Sequence, residues 1–239
     1  IAGAGFDAVI GNPPWDMVRD DNDGGTVRAS ARADADGLLG FVRSSGVYRA
    51  QGDGHANLYQ LFVERAFRLT RAGGRLGLVV PWGLASDAGC TGLRRLLLDR
   101  SRIDSWIGFE NTSAVFPIHR SVRFLLMTAS VGGRTDSLPC RLGARDPEIL
   151  DSPAECLEPT TRPRALLLSR RLLERVSPED LAIPDIRSSA DIALLEKIAA
   201  TTPFLGSSAG WGVEFGRELN ASDDRRHFDG AVGGLPVLE

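Results

Sequence analysis

The residues best suited to chemistry are four consecutive ones near the start of the chain, Asn12-Pro13-Pro14-Trp15. An amine nitrogen whose lone pair is delocalised into a ring is a weak nucleophile until acceptors hold its hydrogens. The side-chain oxygen of Asn12 and the backbone carbonyl of Pro13 can each accept one hydrogen, and the adjacent prolines restrict the direction of that carbonyl. The Trp15 ring can stack on a planar group. These residue types predict a site that methylates an exocyclic amine on a planar base, although Asn-Pro-Pro also serves simply as a strand-ending turn.

These four residues follow a short apolar strand pattern, Phe6-Asp7-Ala8-Val9-Ile10. In open α/β sheets, ligands bind at the carboxyl ends of the strands. Strands are also predicted at 76–80, 103–109 and 122–130. One helix is predicted from Leu58, with apolar positions up to Leu69, to the Gly73-Gly74 pair that ends it, and another at 93–99. Alternating strands and helices predict a parallel α/β sheet. About a dozen residues without a clear helix join the last two strands, so we expect that pair to be antiparallel.

The composition is that of a globular protein, with 239 residues, 43% hydrophobic and 25% charged. No apolar run approaches the roughly 20 residues that span a bilayer, which excludes a membrane protein. The three cysteines, Cys90, Cys140 and Cys156, lie far apart. Their spacing argues against a disulfide framework or a metal site and suits a reducing, cytoplasmic location.

Charge is unevenly distributed along the chain. The 28 basic and 31 acidic side chains give a net charge of −3. Residues 58–137 carry 11 basic and 6 acidic side chains, so this stretch has a charge of +5. Contact with a phosphate backbone is a natural use for such a basic stretch. For two of its arginines, Arg94 and Arg95, a position on a solvated helix face is about as good an explanation.

Three blocks of this sequence resemble a known family. Residues 6–15 look like motif IV, the catalytic motif of DNA methyltransferases that modify the exocyclic amine of adenine. Residues 57–66 and 69–81 resemble motifs V and VI of the gamma class, which includes the Taq-type enzymes, and residues 114–117 resemble motif VIII. The blocks follow the family's order over residues 6–130. The chain is therefore similar to gamma-class, adenine-N6-specific, restriction-system methyltransferases that use S-adenosylmethionine.

The resemblance implies a role for each matching residue of the pocket. Asn12 and the Pro13 carbonyl would hold the target amine. Trp15 and the motif VIII aromatic, Phe116, would stack on an adenine flipped out of double-stranded DNA, since the amine is otherwise paired and stacked. We expect the two rings to converge on one cleft with open space between them for the base.

The resemblance also implies contacts to the cofactor and to DNA. Pro14, Phe62 and Asn12 would lie against S-adenosylmethionine, and no metal is implied. His119, Arg120 and Arg123 are the candidates for DNA phosphates.

The family's sheet has the strand order 3-2-1-4-5-7-6, of which this chain would hold strands 4-5-7-6, the last antiparallel. The resemblance therefore implies a partial, Rossmann-like class I S-adenosylmethionine-dependent methyltransferase sheet. Residues 1–137 would form the C-terminal part of the catalytic domain, and 138–188 a linker with short strands and a helix at 164–175. Residues 189–239 would form a helix at 189–200 and the start of a target-recognition region. A possible strand at 211–215 and the segments 215–220 and 234–239 belong to that last region.

The family's main cofactor motif precedes motif IV, so an upstream half of the same polypeptide is an expected partner. Without it the first strand, 6–10, would be an unprotected sheet edge. We expect the chain alone to self-associate, to bind S-adenosylmethionine weakly and to be inactive.

The favoured function is methyl transfer to the N6 amine of adenine in DNA, in a restriction-modification or phage-defence system. Two alternatives remain open at this point. Asn-Pro-Pro followed by an aromatic also serves methyltransferases that act on RNA adenine or on protein glutamine amides. A non-catalytic, DNA-binding remnant is the other alternative.

Overall fold

The computed structural model describes residues 5–16, 37–51, 57–150, 165–214 and 216. The strands are β1 (Phe6–Gly11), β2 (Thr70–Pro81), β3 (Ser101–Glu110), β4 (Arg123–Val131), β5 (Ser137–Ala144) and β6 (Leu166–Ser169). The helices are α1 (37–44), α2 (Leu58–Leu69), α3 (Gly83–Ser86), α4 (Thr91–Arg100), α5 (Arg170–Val176) and α6 (Ser189–Thr201).

The six strands form one mixed sheet in the order β1-β2-β4-β3-β5-β6. β1 is parallel to β2, whereas β4 is antiparallel to both β2 and β3. The first four strands therefore have the predicted order 4-5-7-6, and the strand predicted to be antiparallel is antiparallel. Because β4 runs the opposite way, its amino end lies beside the carboxyl ends of β2 and β3.

Helix α2 has the predicted apolar spacing, but it ends earlier than predicted. Its last residue is Leu69, and β2 begins at once with Thr70, rather than after Gly73-Gly74. The reason is a register shift at the start of the β1–β2 pair, where Phe6 pairs with Thr70 and Ala8 with Arg75. The extra residues of β2 form a bulge there, and Gly73 has a φ of 76°, which favours glycine.

One face of the sheet is covered by α2 and α4. Leu76, Leu78 and Val80 of β2 point into this core, as do Leu125, Met127 and Ala129 of β4. From the helices, Val63 of α2 and Leu93 and Leu97 of α4 are fully buried against them. The apolar residues that alternate along the strands and recur every three to four residues in the helices therefore form one hydrophobic layer.

Glu64 of α2 is fully buried and binds the chain segment that precedes the helix. Its carboxylate accepts hydrogen bonds from the backbone N–H groups of Arg49 (2.7 Å) and Ala50 (3.0 Å), from Gln51 Nε2 (2.8 Å) and from Arg68 Nη2 (2.6 Å). Burial alone would raise the pKa of Glu64, but these hydrogen bonds favour the charged form and bring the pKa below its ordinary value.

Residues 138–188 contain more regular structure than a linker. β5 is parallel to β3 and β6 is antiparallel to β5, so both strands extend the sheet. The helix predicted at 164–175 begins later than predicted, because Leu166–Ser169 is a strand and α5 starts at Arg170; residue 164 lies outside the described residues. Pairing of Ser137 with Ser169 and of Cys140 with Leu166 overrides the helical pattern of this short apolar run.

The chain divides into two units, Ile1–Ala199 and Ala200–Glu239. Helix α6 agrees with the prediction for 189–200. Residues 211–214 are not a strand, because the N–H groups of Trp211 and Val213 both donate to the Leu205 carbonyl and close a turn. Residues 215, 217–220 and 234–239 of the expected recognition region lie outside the described residues. Among the described residues, no helix has the length and apolar composition needed to cross a bilayer.

Candidate functional site

The segment 12–15 leaves the carboxyl end of β1, as predicted. Asn12 is exposed and Pro13 is buried. The backbone N–H of Leu58, at the start of α2, donates to the Asp16 carbonyl at 3.0 Å and so ties this segment to the helix. No described residue hydrogen-bonds to the Asn12 side chain, so its amide oxygen is available to a ligand.

An open pocket of about 340 Å³ lies beside this segment. Residues 12–15 form one wall and residues 116–118 form the other. Its size falls within the range of about 300–1,000 Å³ that is usual for small-ligand sites. Segments about a hundred residues apart in sequence therefore meet at one point of the carboxyl edge.

Trp15 and Phe116 converge, as predicted, but the gap expected between them is absent. Their ring centroids are 5.9 Å apart and their planes are at 73°, an edge-to-face contact. A base sandwiched between two rings needs both rings parallel to it, so this arrangement does not hold a base between them. Direct contact excludes water from two apolar rings, which is the physical reason for the closed arrangement.

Two further aromatic residues support these rings, and sequence reasoning missed both. Phe124, the second residue of β4, contacts Phe116 edge-on at 4.9 Å and Trp15 at 6.2 Å. Phe109 stacks on Phe124 at 5.0 Å with an interplanar angle of 4°. The antiparallel pairing of Phe109 with Phe124 places them at the same edge. The sequence predicts an antiparallel pair of the strands 103–109 and 122–130, and this prediction could have placed Phe124 at the same edge as Phe109.

The three phosphate candidates have different surroundings. Arg120 and His119 are exposed, and His119 Nδ1 lies 2.7 Å from Ser121 Oγ. Arg123 instead lies 3.0 Å from the Asp185 carboxylate, and its guanidinium is 4.1 Å above the centre of the Trp82 ring. Arg123 therefore has intramolecular partners, and the geometry favours a structural role for it over contact with a phosphate.

Other arginines of the basic stretch also bind within the molecule. Arg94 is fully buried, and its Nε donates to the Asp180 carbonyl at 2.9 Å. Arg95 Nη2 donates to the Glu179 carbonyl at 2.7 Å. With the Arg123–Asp185 pair, these contacts clamp residues 179–185 onto α4 and β4. Several arginines of the basic stretch therefore stabilise the fold. The sequence analysis predicted phosphate contact or a solvated helix face for Arg94, and the structure shows neither.

Phe62 projects from the outer side of α2 and is 50% exposed. It does not line the pocket of residues 12–15 and 116–118. Pro14 is also exposed. Both residues therefore present apolar surface on the outside of the molecule.

The cysteines that the structure describes are buried, and neither is suited to chemistry. Burial raises the pKa of the Cys140 thiol to about 12 and also raises the pKa of Cys90. Both thiols are therefore protonated at neutral pH and poor nucleophiles. Among the described residues, no group of three or more His, Cys, Asp or Glu side chains could hold a metal ion.

Comparison with known proteins yields one family. Residues 1–116 match the family described as Eco57I restriction-modification methylase. No curated protein sequence matches the chain.

Solved structures share parts of the architecture. A modification subunit of a putative type I restriction enzyme from Vibrio vulnificus YJ016 is 15% identical with a TM-score of 0.53, over 80% of this chain and 40% of that one. The EcoKI M protein is 15% identical with a TM-score of 0.48, over 96% and 54%. A putative class I S-adenosylmethionine-dependent methyltransferase from Listeria monocytogenes is 16% identical with a TM-score of 0.40, over 63% and 41%.

The chain thus spans between 40% and 54% of these three structures. The predicted α/β fold class is confirmed by the mixed sheet and by the order of its first four strands.

Proposed function

Since residues 1–116 match the family described as Eco57I restriction-modification methylase, we propose that this chain is the target-base part of a DNA methyltransferase acting on the N6 amine of adenine. The observation that carries the proposal is the shared pocket of residues 12–15 and 116–118 at the carboxyl edge of the sheet. It joins an unpartnered amide, a proline-restricted carbonyl and two aromatic rings in one place.

The polar groups of the pocket suit an exocyclic amine. The Asn12 oxygen and the Pro13 carbonyl accept the two amine hydrogens, which draws the nitrogen lone pair out of conjugation with the ring and towards the methyl donor. S-adenosylmethionine, when bound, supplies an electrophilic methyl group on its sulfonium sulfur. Holding the amine in line with that group supplies most of the rate through positioning. Pro14 and the exposed Phe62 ring would hold the donor's adenosine.

The aromatic rings of the pocket support adenine as the target base. An adenine must leave the duplex to present its amine, and a flipped base needs an aromatic surface in place of its neighbours. Because Trp15 and Phe116 contact each other edge-on, one ring must move, or the base must stack on one ring alone. His119 and Arg120, exposed beyond Phe116, are the phosphate contacts that we retain; Arg123 is the least favoured.

We expect Trp15→Ala to lower methyl transfer about tenfold and Trp15→Phe to lower it much less. Stacking of a base on an aromatic ring contributes about 1–3 kcal/mol, and phenylalanine keeps part of that surface. The measurement is the initial rate of labelled methyl incorporation into DNA by the complemented chain, meaning this chain supplied with its upstream cofactor-binding half. Leu167→Ala is the control, because Leu167 lies on β6 at the far edge of the sheet, is 62% exposed and does not line the pocket. Equal rates for the wild type and Trp15→Ala would remove Trp15 from the base site.

The upstream half is proposed to pair with β1. β1 is an edge strand, and its Phe6 and Ile10 side chains are 59% and 85% exposed. Addition of the upstream half should therefore slow hydrogen exchange of the backbone amides of β1. β6, the opposite edge of the sheet, is the internal control and should exchange at an unchanged rate. Protection of β6 without protection of β1 would contradict the proposed pairing, because it would place the upstream half at the opposite edge of the sheet.

A labelled methyl group tests the substrate directly. The complemented chain is given methyl-labelled S-adenosylmethionine with unmethylated double-stranded DNA, with RNA, or with protein. The proposal expects label in DNA alone. Label in RNA or on protein glutamine would favour the corresponding alternative. Binding of DNA without any transfer would favour a non-catalytic remnant.

A further inference from the structure

The loop that carries Phe116 connects β3 to β4 and is organised by one side chain, Asn111. Asn111 directly follows β3 and is completely buried. Its backbone N–H donates to the Val122 carbonyl at 3.2 Å, which closes the base of the loop. The next residues form a single helical turn that ends at Ala114, which has a φ of 55°. That left-handed conformation is uncommon for residues other than glycine, so the loop needs support from elsewhere.

The Asn111 amide supplies that support at both of its ends. Its Oδ1 accepts a hydrogen bond from the Phe116 N–H at 3.0 Å, and its Nδ2 donates to the Phe116 carbonyl at 3.1 Å. Nδ2 also donates to the Ile118 carbonyl at 3.2 Å. Both backbone polar groups of Phe116 are therefore bound by the same side chain. The Phe116 and Ile118 carbonyls take both donor hydrogens of the amide nitrogen, and the His119 carbonyl lies 3.4 Å from Nδ2 as a longer third contact.

The contacts of the Phe116 ring depend on this backbone position. The ring packs on Phe124 at 4.9 Å and on Trp15 at 5.9 Å. The same residue forms one wall of the pocket. The Asn111 side chain itself is buried and does not line the pocket, so it cannot touch a base there.

We infer that Asn111 is a positioning residue of the base pocket, because its side-chain amide sets the backbone of Phe116 and so the place where a flipped adenine stacks. The inference rests on the proposed function. It concerns a residue that acts through Phe116 and not through the substrate. Its loss should therefore reduce turnover while leaving cofactor binding unchanged.

The test is a double-mutant cycle between Asn111 and Phe116 in the complemented chain. Asn111→Asp has nearly the same volume and keeps an acceptor for the Phe116 N–H, but it cannot donate to the two carbonyls while ionised. We expect Asn111→Asp and Phe116→Ala each to lower kcat for DNA methylation about tenfold, the scale of one base–aromatic stack. The KM for S-adenosylmethionine should stay within about twofold. The double variant should lose no more than Phe116→Ala alone.

Additive losses in the double variant would overturn the inference, since Asn111 would then act independently of Phe116. Wild-type turnover by Asn111→Asp would overturn it as well. Thr112→Ala, an exposed neighbour in the same loop, is the control and should behave as the wild type. If the aspartate variant fails to fold, Asn111→Ser takes its place in the cycle with the same expected non-additivity. Failure of the proposed function is a separate result, in which the wild type transfers no methyl group to DNA.

Discussion

Asn12→Ala is expected to lower methyl transfer to DNA by about 100-fold or more, the usual cost of removing one preorganised polar group at a reacting centre. The alanine variant lacks the oxygen that accepts an amine hydrogen, so the nitrogen lone pair stays delocalised in the ring. DNA affinity should change little, because phosphate contacts dominate it. Initial rates of label incorporation and a gel-shift titration, both on the complemented chain, measure the two quantities separately.

Two further variants sharpen this experiment. Asn12→Asp keeps an acceptor oxygen at the same position, so it should lose less activity than the alanine variant. Thr112→Ala changes an exposed residue that does not line the pocket and should have no effect. Near-normal turnover by Asn12→Ala, with wild-type folding, would rule out the assignment of Asn12 as the amine acceptor.

Glu64→Ala is expected to lower the free energy of unfolding by about 3 kcal/mol. The substitution leaves the buried N–H groups of Arg49 and Ala50 without an acceptor and removes the partner of Arg68, and losses of this kind cost a few kcal/mol together. Urea denaturation followed by circular dichroism measures the change. Glu148→Ala is the control, since Glu148 is exposed. A loss below about 0.5 kcal/mol, the range of ordinary surface substitutions, would contradict the role of Glu64.

The lowered pKa of Glu64 also predicts a pH dependence. A carboxylate whose pKa is lower in the folded state stabilises the protein fully above its unfolded pKa, and this stabilisation is lost as the pH falls through the folded value. The ordinary value for Glu is 4.5. The stability difference between the wild type and Glu64→Gln should therefore be constant at neutral pH and shrink as the pH falls below about 4.5. A difference that grows with acidity would contradict the sign of the shift.

The strands β1 to β4 and helix α2 could be predicted because their signals are local, whereas the order of the strands followed from the family resemblance. Alternation in β2 and β4 and the apolar spacing of α2 occur within short windows of sequence. The convergence of Trp15 and Phe116 followed from the family resemblance together with the position of both segments at the carboxyl edge.

The features that could not be predicted depend on distant partners. The bulge at Gly73 arises from pairing with β1, more than 60 residues away, and β6 became a strand because β5 lies beside it. Arg94 and Arg123 looked available for phosphate because nothing local shows that residues 180 and 185 bind them. Asn111 carries no motif of its own. Its role is visible only when the three-dimensional course of the loop is known.

In the proposed function, the pocket of residues 12–15 and 116–118 presents an adenine amine for methylation. Mass spectrometry of the nucleosides of DNA, taken from cells that express the complemented chain in a methylation-free host, tests this function. We expect N6-methyladenine with the wild type and none above background with Asn12→Ala. Methylated cytosine in place of N6-methyladenine, or equal N6-methyladenine from both proteins, would contradict it.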